Sequence, residues 1–333
     1  MATNEQMRFE SLPNEMFTEI FKHLSISDLV RAFRGLNCRF DNLISKHFEI
    51  NTNVDLRSAP KQEVDVYCLQ FLPPITHRIK SLYLSNHFYT PNQIDQFFQH
   101  GFILRQFTRL KLLSLSFIHS SRIMDKILFD FPFLSNLTCL IFKQCIVRYN
   151  DQQAQSFVNI IWSLPNLKYC YFDISIGELK VSIVLPTVIS SSIHHLSYFR
   201  TSNDLNQISP LLKSVPCLEY FSINLCGSTS SYFNATYVSS ISKFKVSFIN
   251  SNASTIVSIL KMMPNLMDLT LDALMFHIDW DLWKEIIDNY LPKLKYFQWR
   301  TEIDFPSGEC MLEKHVDDML DSFRSDFWLI EHK

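Results

Sequence analysis

Glycine is unusually scarce in this chain, with five glycines among 333 residues, whereas average usage is about 7%. Gly35, Gly101, Gly177, Gly227 and Gly308 stand far apart. A loop that cradles phosphate needs several glycines within one short turn. The sequence therefore excludes a Walker loop and a dinucleotide-binding fingerprint in their usual form.

Strong net charge and long apolar runs are also missing. Thirty-one basic and 33 acidic residues give a formal net charge of -2, so the composition predicts no nucleic-acid partner and no anionic membrane partner. No apolar run approaches the roughly 18 residues of a membrane span. The opening MATNEQMRFE has no apolar signal core. We therefore expect a cytoplasmic or nuclear location.

Motifs for metal binding and catalysis are absent as well. The eight cysteines form no C-x-x-C pair, which favours buried free thiols in a reducing compartment. His194 and His195 are adjacent, so in a strand they would point to opposite faces and could not readily share a metal. Neither G-x-S-x-G nor H-E-x-x-H occurs. We expect no catalytic residue, no metal, no cofactor and no enzymatic activity.

The most informative segment runs from Leu12 to Ile44, with the sequence LPNEMFTEIFKHLSISDLVRAFRGLNCRFDNLI. Pro13 suits a first helical turn, and apolar residues then recur every four positions to form one face. Ser25 and Asp28 have capping-box spacing, which predicts a second helix starting near Asp28. A segment this small rarely folds alone, so we expect it to pack on the rest of the chain or on a partner.

These residues closely resemble an F-box. The family pattern appears as Leu12-Pro13-Asn14-Glu15, then Ile20-Phe21-Lys22-His23-Leu24, then Asp28-Leu29. Leu36 and Phe40 stand where the family often has Val and Trp, so the third helix is the weaker part of the match. The resemblance implies binding to a Skp-type adaptor, and through it a cullin, by Leu12, Pro13, Ile20, Phe21, Leu24 and Leu29. The alternative is an amphipathic helical hairpin that caps a larger domain.

A second pattern organises the chain from about residue 79: apolar, two others, apolar, one other, apolar. The instances begin at Ile79, Leu110, Leu137, Leu167, Ile193, Leu218, Ile241, Leu266 and Leu294. They recur about every 27 residues, inside the 20–29 residue period of leucine-rich repeats. Helical stretches are predicted before several of them, at Ala154–Leu164, Ile208–Val215 and Ile256–Met263, and lead into an apolar-Pro-x-Leu motif, where proline marks the turn into a strand. The pattern resembles the leucine-rich repeats of F-box proteins.

Together these patterns predict an α/β chain with a small helical F-box at 8–55, about nine irregular leucine-rich repeats at 56–304 and a C-terminal cap at 305–333. The repeats would form a solenoid with a curved parallel sheet and helices outside. The alternation of residues 173–190 suggests an extra strand, which leaves the register of the middle repeats open. A β/α barrel is the rival architecture, but glycine-rich loops and runs of Val and Ile are lacking.

The candidate target-binding surface is the concave face of the repeats, where polar and aromatic side chains lie between and after the inward-facing strand residues. We expect it to bind a protein or peptide. Its candidate residues are Tyr171, Asp173, Phe199, Asn224, Lys245, Asp272 and Arg300. The first hypothesis is a substrate receptor of a Skp–cullin–F-box ubiquitin ligase. The second is a non-catalytic scaffold whose F-box is a cap or serves another partner, and the third is a barrel enzyme.

Overall fold

A computed structural model of the protein describes residues 9–177, 183–199, 207–226, 238–249, 253–274 and 280–302. The chain divides into two compact units, Met1–Cys145 and Ile146–Lys333. The predicted cap at 305–333 lies outside the described residues. The domain boundaries stay predictions.

The first unit begins with three helices and continues with four parallel strands in chain order. Its α-helices are α1 (Asn14–Lys22), α2 (Ile26–Phe33), α3 (Cys38–Ile50), α4 (Lys61–Val66), α5 (Gln93–Gln99) and α6 (Ser121–Asp130). Its strands are β1 (Asn53–Asp55), β2 (Ser81–Ser85), β3 (Leu112–Ser116) and β4 (Cys139–Val147). Short 3₁₀ turns lie at Phe9–Ser11, Pro73–Arg78, Leu104–Gln106 and Phe131–Phe133, and a π-helical turn at Tyr67–Phe71.

The second unit alternates helices with six strands that are parallel neighbours in chain order. Its strands are β5 (Tyr169–Ile176), β6 (His195–Tyr198), β7 (Tyr220–Cys226), β8 (Lys243–Ile249), β9 (Asp268–Leu274) and β10 (Tyr296–Glu302). Its helices are α7 (Asp151–Trp162), α8 (Ile208–Lys213), α9 (Ala253–Leu260) and α10 (Trp280–Tyr290).

The apolar triplets of the sequence line up across neighbouring strands, which confirms the predicted α/β repeat fold. In the first unit Leu82 pairs with Leu113, and Leu113 with Leu140. In the second unit one continuous row joins Cys170, Leu196, Phe221, Phe244, Leu269 and Phe297. All nine opening residues of the triplets are buried. Each unit is thus a stack of leucine-rich-type repeats whose inward rows merge into a shared core.

The proline motifs form the predicted turns into the strands. The backbone N–H groups of Leu218, Leu266 and Leu294 each donate to the carbonyl three residues earlier, immediately before the proline. Proline fixes the first turn position and its missing N–H is not needed there. The closing leucine is thereby placed in the core two residues before the strand begins.

The three N-terminal helices form a core made largely of phenylalanine. Phe17 contacts Phe40 edge-to-face with ring centroids 4.9 Å apart, and Phe21 lies 5.0 Å from Phe33. All four rings are buried. The second helix begins at Ile26, two residues before the predicted start, because the Ser25 side chain caps it by accepting from the Asp28 N–H at 3.1 Å.

The described part of residues 173–190 gives no separate extra strand. Residues 173–176 are the end of β5, and residues 183–190 have no strand, while 178–182 lie outside the description. Six of the cysteines, which are Cys38, Cys68, Cys139, Cys145, Cys170 and Cys217, form no disulfide. Cys68, Cys145 and Cys170 are buried as expected, Cys139 is half-buried, and Cys38 and Cys217 are exposed.

Candidate functional site: the polar face of the second unit

The seven predicted target-binding residues lie on one face of strands β5 to β10 or at their ends. Strand alternation turns this face away from the buried triplets. Its middle row includes Tyr171, Ser197, Ser222 and Lys245, and its third row includes Asn224, Asp272 and Arg300. Asp173 follows Tyr171 by two residues on β5, and Phe199 directly follows β6. We call these residues, with the row described next, the polar face.

An aromatic stack that the sequence analysis missed forms the first row of the polar face. The imidazole of His195 lies between the rings of Tyr169 and Tyr220, with centroid distances of 4.1 Å and 3.9 Å. The three residues are cross-strand partners in register. Alternation could have found them, because each stands immediately before an inward-facing triplet residue and so shares the outward face.

Burial in this stack changes the chemistry of His195. Desolvation lowers the pKa of His195 to about 4, because a charged imidazolium would lose hydration between the two rings. Ser197 Oγ lies 3.4 Å from His195 Nε2, which is longer than the hydrogen bond expected of a nucleophile and its base. A neutral, stacked histidine suits contact with a partner better than proton transfer.

Tyr171, Phe199 and Asp173 form a second cluster beside the stack. The Tyr171 and Phe199 rings lie 5.3 Å apart, and Phe199 is exposed. Desolvation, with a smaller contribution from the charge of Asp173, raises the pKa of Tyr171 to about 12, so its phenol stays protonated. Exposed aromatic rings with a fixed polar atom nearby are typical of protein interfaces.

Charged residues occupy the part of the polar face on β8 to β10. Lys245 Nζ lies 3.3 Å from Asp272 Oδ2, which also accepts from Ser247 Oγ at 3.3 Å. Asp272 Oδ1 is buried and has no partner among the described residues. Arg300 is exposed one strand further. The polar face therefore combines aromatic rings at one end with mixed charge at the other.

The six predicted adaptor-binding residues differ in exposure. Pro13 is exposed, and Leu12, Ile20 and Leu24 are half-buried. Phe21 and Leu29 are each 1% exposed and belong to the helical core. Large exposed apolar residues of the same segment, which the motif does not single out as contacts, are Phe9, Met16, Leu36 and Ile50.

Arg39, on α3, holds in place the segment that leads into α1. Its guanidinium donates to the backbone carbonyls of Glu10 at 2.6 Å and Leu12 at 2.5 Å, and Nε donates to Asn14 Oδ1 at 2.8 Å. The same guanidinium lies 5.4 Å from the centre of the Phe17 ring. These contacts within the chain fix the conformation of the Leu12-Pro13 segment without a partner.

Within the described ranges, no three His, Cys, Asp or Glu side chains are grouped to hold a metal ion. None of the helices in that part of the chain is long and apolar enough to cross a bilayer.

Comparison with known proteins adds little to this picture. No protein-family model matches the chain, and no curated protein matches it. One solved structure that it is similar to is an internalin from Listeria monocytogenes, at 14% identity and a TM-score of 0.30, covering 70% of this chain and 71% of that one. Similarity this weak carries no argument about function. The class of the chain rests on its own geometry, which is that of an α/β protein with leucine-rich-type repeats.

Proposed function

We propose that this chain is a substrate-recognition subunit of a Skp–cullin–F-box ubiquitin ligase. In this proposal the three N-terminal helices bind a Skp-type adaptor, and the polar face binds a target protein. The observation that carries the proposal is the F-box pattern folded as three helices with apolar side chains left exposed on them. Catalysis would belong to other subunits, and this chain would position the target. Such a role requires a cytoplasmic or nuclear location.

The side-chain exposures support a proposed adaptor-binding surface that differs in part from the positions of the motif. Met16 is 52% exposed and Leu36 is 61% exposed, whereas Phe21 and Leu29 face inward and stabilise the helices. The proposed contact surface consists of Leu12, Pro13, Met16, Ile20, Leu24 and Leu36. Burying exposed apolar area contributes about 25 cal/mol of binding free energy per Å². The most exposed members, Met16 and Leu36, would therefore contribute most to binding.

The polar face suits a protein target for a different reason. Aromatic rings supply large contact areas at low entropic cost, and the exposed Arg300 and the Lys245–Asp272 pair supply orientation. The mixture of charges on this face gives no uniform positive potential for nucleic acid. We therefore keep Tyr171, Asp173, Phe199, Asn224, Lys245, Asp272 and Arg300 as the proposed target-binding residues, and add Tyr169, His195 and Tyr220.

Co-purification of the full chain with a Skp-type adaptor tests the proposal. The double variant Met16→Asp/Leu36→Asp changes an exposed residue of α1 and an exposed residue of the turn between α2 and α3, so it should fold and lose the adaptor. Leu69→Asp is the matched control, because Leu69 is also apolar and 66% exposed but lies outside the three helices. Binding by the parent and the control alone supports the proposal. A folded parent that fails to bind, or equal binding by both variants, contradicts it.

A second candidate is a repeat scaffold in which the three helices act as a cap. This candidate is favoured by the contacts of the helices with the segment that follows them. Phe48 of α3 packs on Tyr67 and Phe71 at 5.2 Å and 4.8 Å, and Arg31 forms an ion pair with Glu63 at 3.0 Å. The scaffold predicts no adaptor binding, so the same co-purification separates the two candidates.

A further inference from the structure

A pocket in the first unit lies at the carboxyl ends of strands β2 and β3, beside the middle of β4. It has a volume of about 640 Å³. Its lining includes Arg57, Ser85, His87, Ser116, Phe117 and Lys143. None of the described side chains that line it is acidic. We call it the strand-end pocket.

The floor of the strand-end pocket is a row of hydrogen-bond donors set by the strand register. Ser85 pairs with Ser116, and Ser116 with Lys143, on successive strands, so these side chains lie one strand spacing apart. Ser116 is buried as a residue and lines the strand-end pocket together with Ser85 and Lys143. Hydroxyl groups and an ammonium group placed side by side can all donate hydrogen bonds to one oxyanion.

Two cationic side chains, Lys143 and Arg57, line the strand-end pocket. Lys143 is exposed, and its ammonium forms no ion pair in the described chain. Arg57 donates to Asp55 Oδ1 through Nε at 2.9 Å and to Asp55 Oδ2 through Nη2 at 2.6 Å. The Nη1 group of Arg57 takes no part in this ion pair. The Arg57 guanidinium also lies 4.8 Å from the centre of the Tyr83 ring. Cationic donors held in this way suit an anionic oxygen ligand.

The backbone around the strand-end pocket is strained and fixed. Phe117 and Gln144 both line it and have φ values of 57° and 52°, in the left-handed region that costs residues with a side chain energy. The Phe117 N–H donates to the Lys143 carbonyl at 2.9 Å, and Asn86 N–H to the Ser116 carbonyl at 3.0 Å. Strain of this kind clusters at ligand sites, where it positions the groups in advance.

Exposed aromatic rings stand at the edge of the strand-end pocket. Phe88 is 70% exposed and Tyr89 is 79% exposed, and their rings lie 3.8 Å apart. The imidazole of His87 joins Phe88 to Phe117. Large exposed apolar groups beside a charged pocket favour a peptide over a free ion, because the flanking residues of a peptide would cover the rings.

We propose that the strand-end pocket binds an oxyanion carried by a peptide side chain, either a carboxylate or a phosphate. Ser116, Ser85 and Lys143 donate to the anion, Arg57 Nη1 contributes charge, and Phe88 and Tyr89 pack on the neighbouring residues of the peptide. This site lies in a different unit from the polar face and does not depend on adaptor binding.

Fluorescence anisotropy on the full chain, purified without an adaptor, tests this inference. The probes are three labelled leucine-flanked peptides that differ only in a central glutamate, phosphoserine or serine. We expect the glutamate or phosphoserine peptide to bind, and Lys143→Met or Ser116→Ala to weaken that binding about tenfold, since each removes a charged or anion-directed hydrogen bond. Lys111→Met is the control, because exposed Lys111 lies before the opposite end of β3.

Competition identifies the source of the anion. Displacement of the phosphoserine peptide by inorganic phosphate would assign the pocket to phosphate, and binding of the glutamate peptide unaffected by phosphate would assign it to carboxylate. Equal binding of the serine peptide overturns the inference, as does equal weakening by Lys143→Met and Lys111→Met. Because no adaptor is present, failure here leaves the proposed adaptor contact untouched.

Discussion

His195 illustrates how a single residue couples the polar face to pH. Its neutral imidazole is held between Tyr169 and Tyr220, and its pKa in the folded chain is about 4 against about 6.5 for an ordinary histidine. Above pH 6.5 the group is neutral in both the folded and unfolded states. As pH falls from 6.5 to 4, the unfolded state takes up the proton first, so folding stability decreases.

Replacing His195 with glutamine should therefore flatten part of this pH dependence. We expect the parent to lose stability between pH 6.5 and pH 4 more steeply than His195→Gln does, as measured by urea unfolding across that range. Substitution of the exposed His77 by glutamine is the matched surface control in the same titration. If the free energy of unfolding of the parent and of His195→Gln changed in parallel with pH, the stack would not be keeping His195 neutral.

Arg39 is the residue that fixes the Leu12-Pro13 entry. Arg39→Met removes three donated hydrogen bonds and should lower the free energy of unfolding by about 1–3 kcal/mol. Arg39→Lys should not restore it, because an ammonium cannot reproduce the fork of the guanidinium. Arg34→Met, which removes one exposed contact with Gln70, should cost less than about 0.5 kcal/mol in the same urea titration. Equal losses for Arg39→Met and Arg34→Met would contradict this account.

At the residue scale, two kinds of prediction differ in success. The sequence predicted well which face of the sheet a strand residue lies on, but it did not predict which residues of the N-terminal helices are exposed. Strict alternation placed Tyr171, Lys245 and Asp272 on one face, as the register shows. The F-box pattern grouped Phe21 with Pro13 although one is buried and the other exposed. A motif records which residues recur together, and both core and contact residues recur.

At the scale of the element, the turn into each strand explains the regular spacing of the repeats. Leu266 closes the turn after Pro264 and is fully buried, whereas the next residue, Met267, is 37% exposed. Leu266→Ala should lower the free energy of unfolding by about 2–5 kcal/mol, because it leaves a cavity in the shared core. Met267→Ala is the neighbouring control.

Chemical denaturation of the two variants checks this prediction. We expect a change within about 0.5 kcal/mol for Met267→Ala, as for other surface substitutions. A similar loss in both variants would mean that the apolar triplets do not define the core of the second unit.

Element boundaries were predictable where a local rule operates. Predicted helices at Ala154–Leu164, Ile208–Val215 and Ile256–Met263 correspond to α7, α8 and α9, each within three residues at either end. The strand-end pocket was not predictable from the sequence. It depends on the register of three strands and on Phe117 and Gln144, two residues with a left-handed backbone that are not glycine. No local pattern encodes that combination.

At the scale of the whole molecule, the proposed binding surfaces belong to different units of the chain. The first unit carries the helical segment with exposed apolar residues and the strand-end pocket, and the second carries the polar face. The repeat period indicated the fold class because each repeat buries its apolar row only against its neighbours. The choice of binding surface depends on which side chains are exposed, and the repeat pattern does not predict that exposure.

Hydrogen exchange of the full chain, with and without a Skp-type adaptor, tests whether the N-terminal helices bind that adaptor. We expect the adaptor to slow exchange of backbone amides between residues 9 and 36 and to leave exchange in strands β5 to β10 unchanged. Protection confined to the strands, or no protection between residues 9 and 36 at saturating adaptor, would contradict the claim that the N-terminal helices are the adaptor-binding surface.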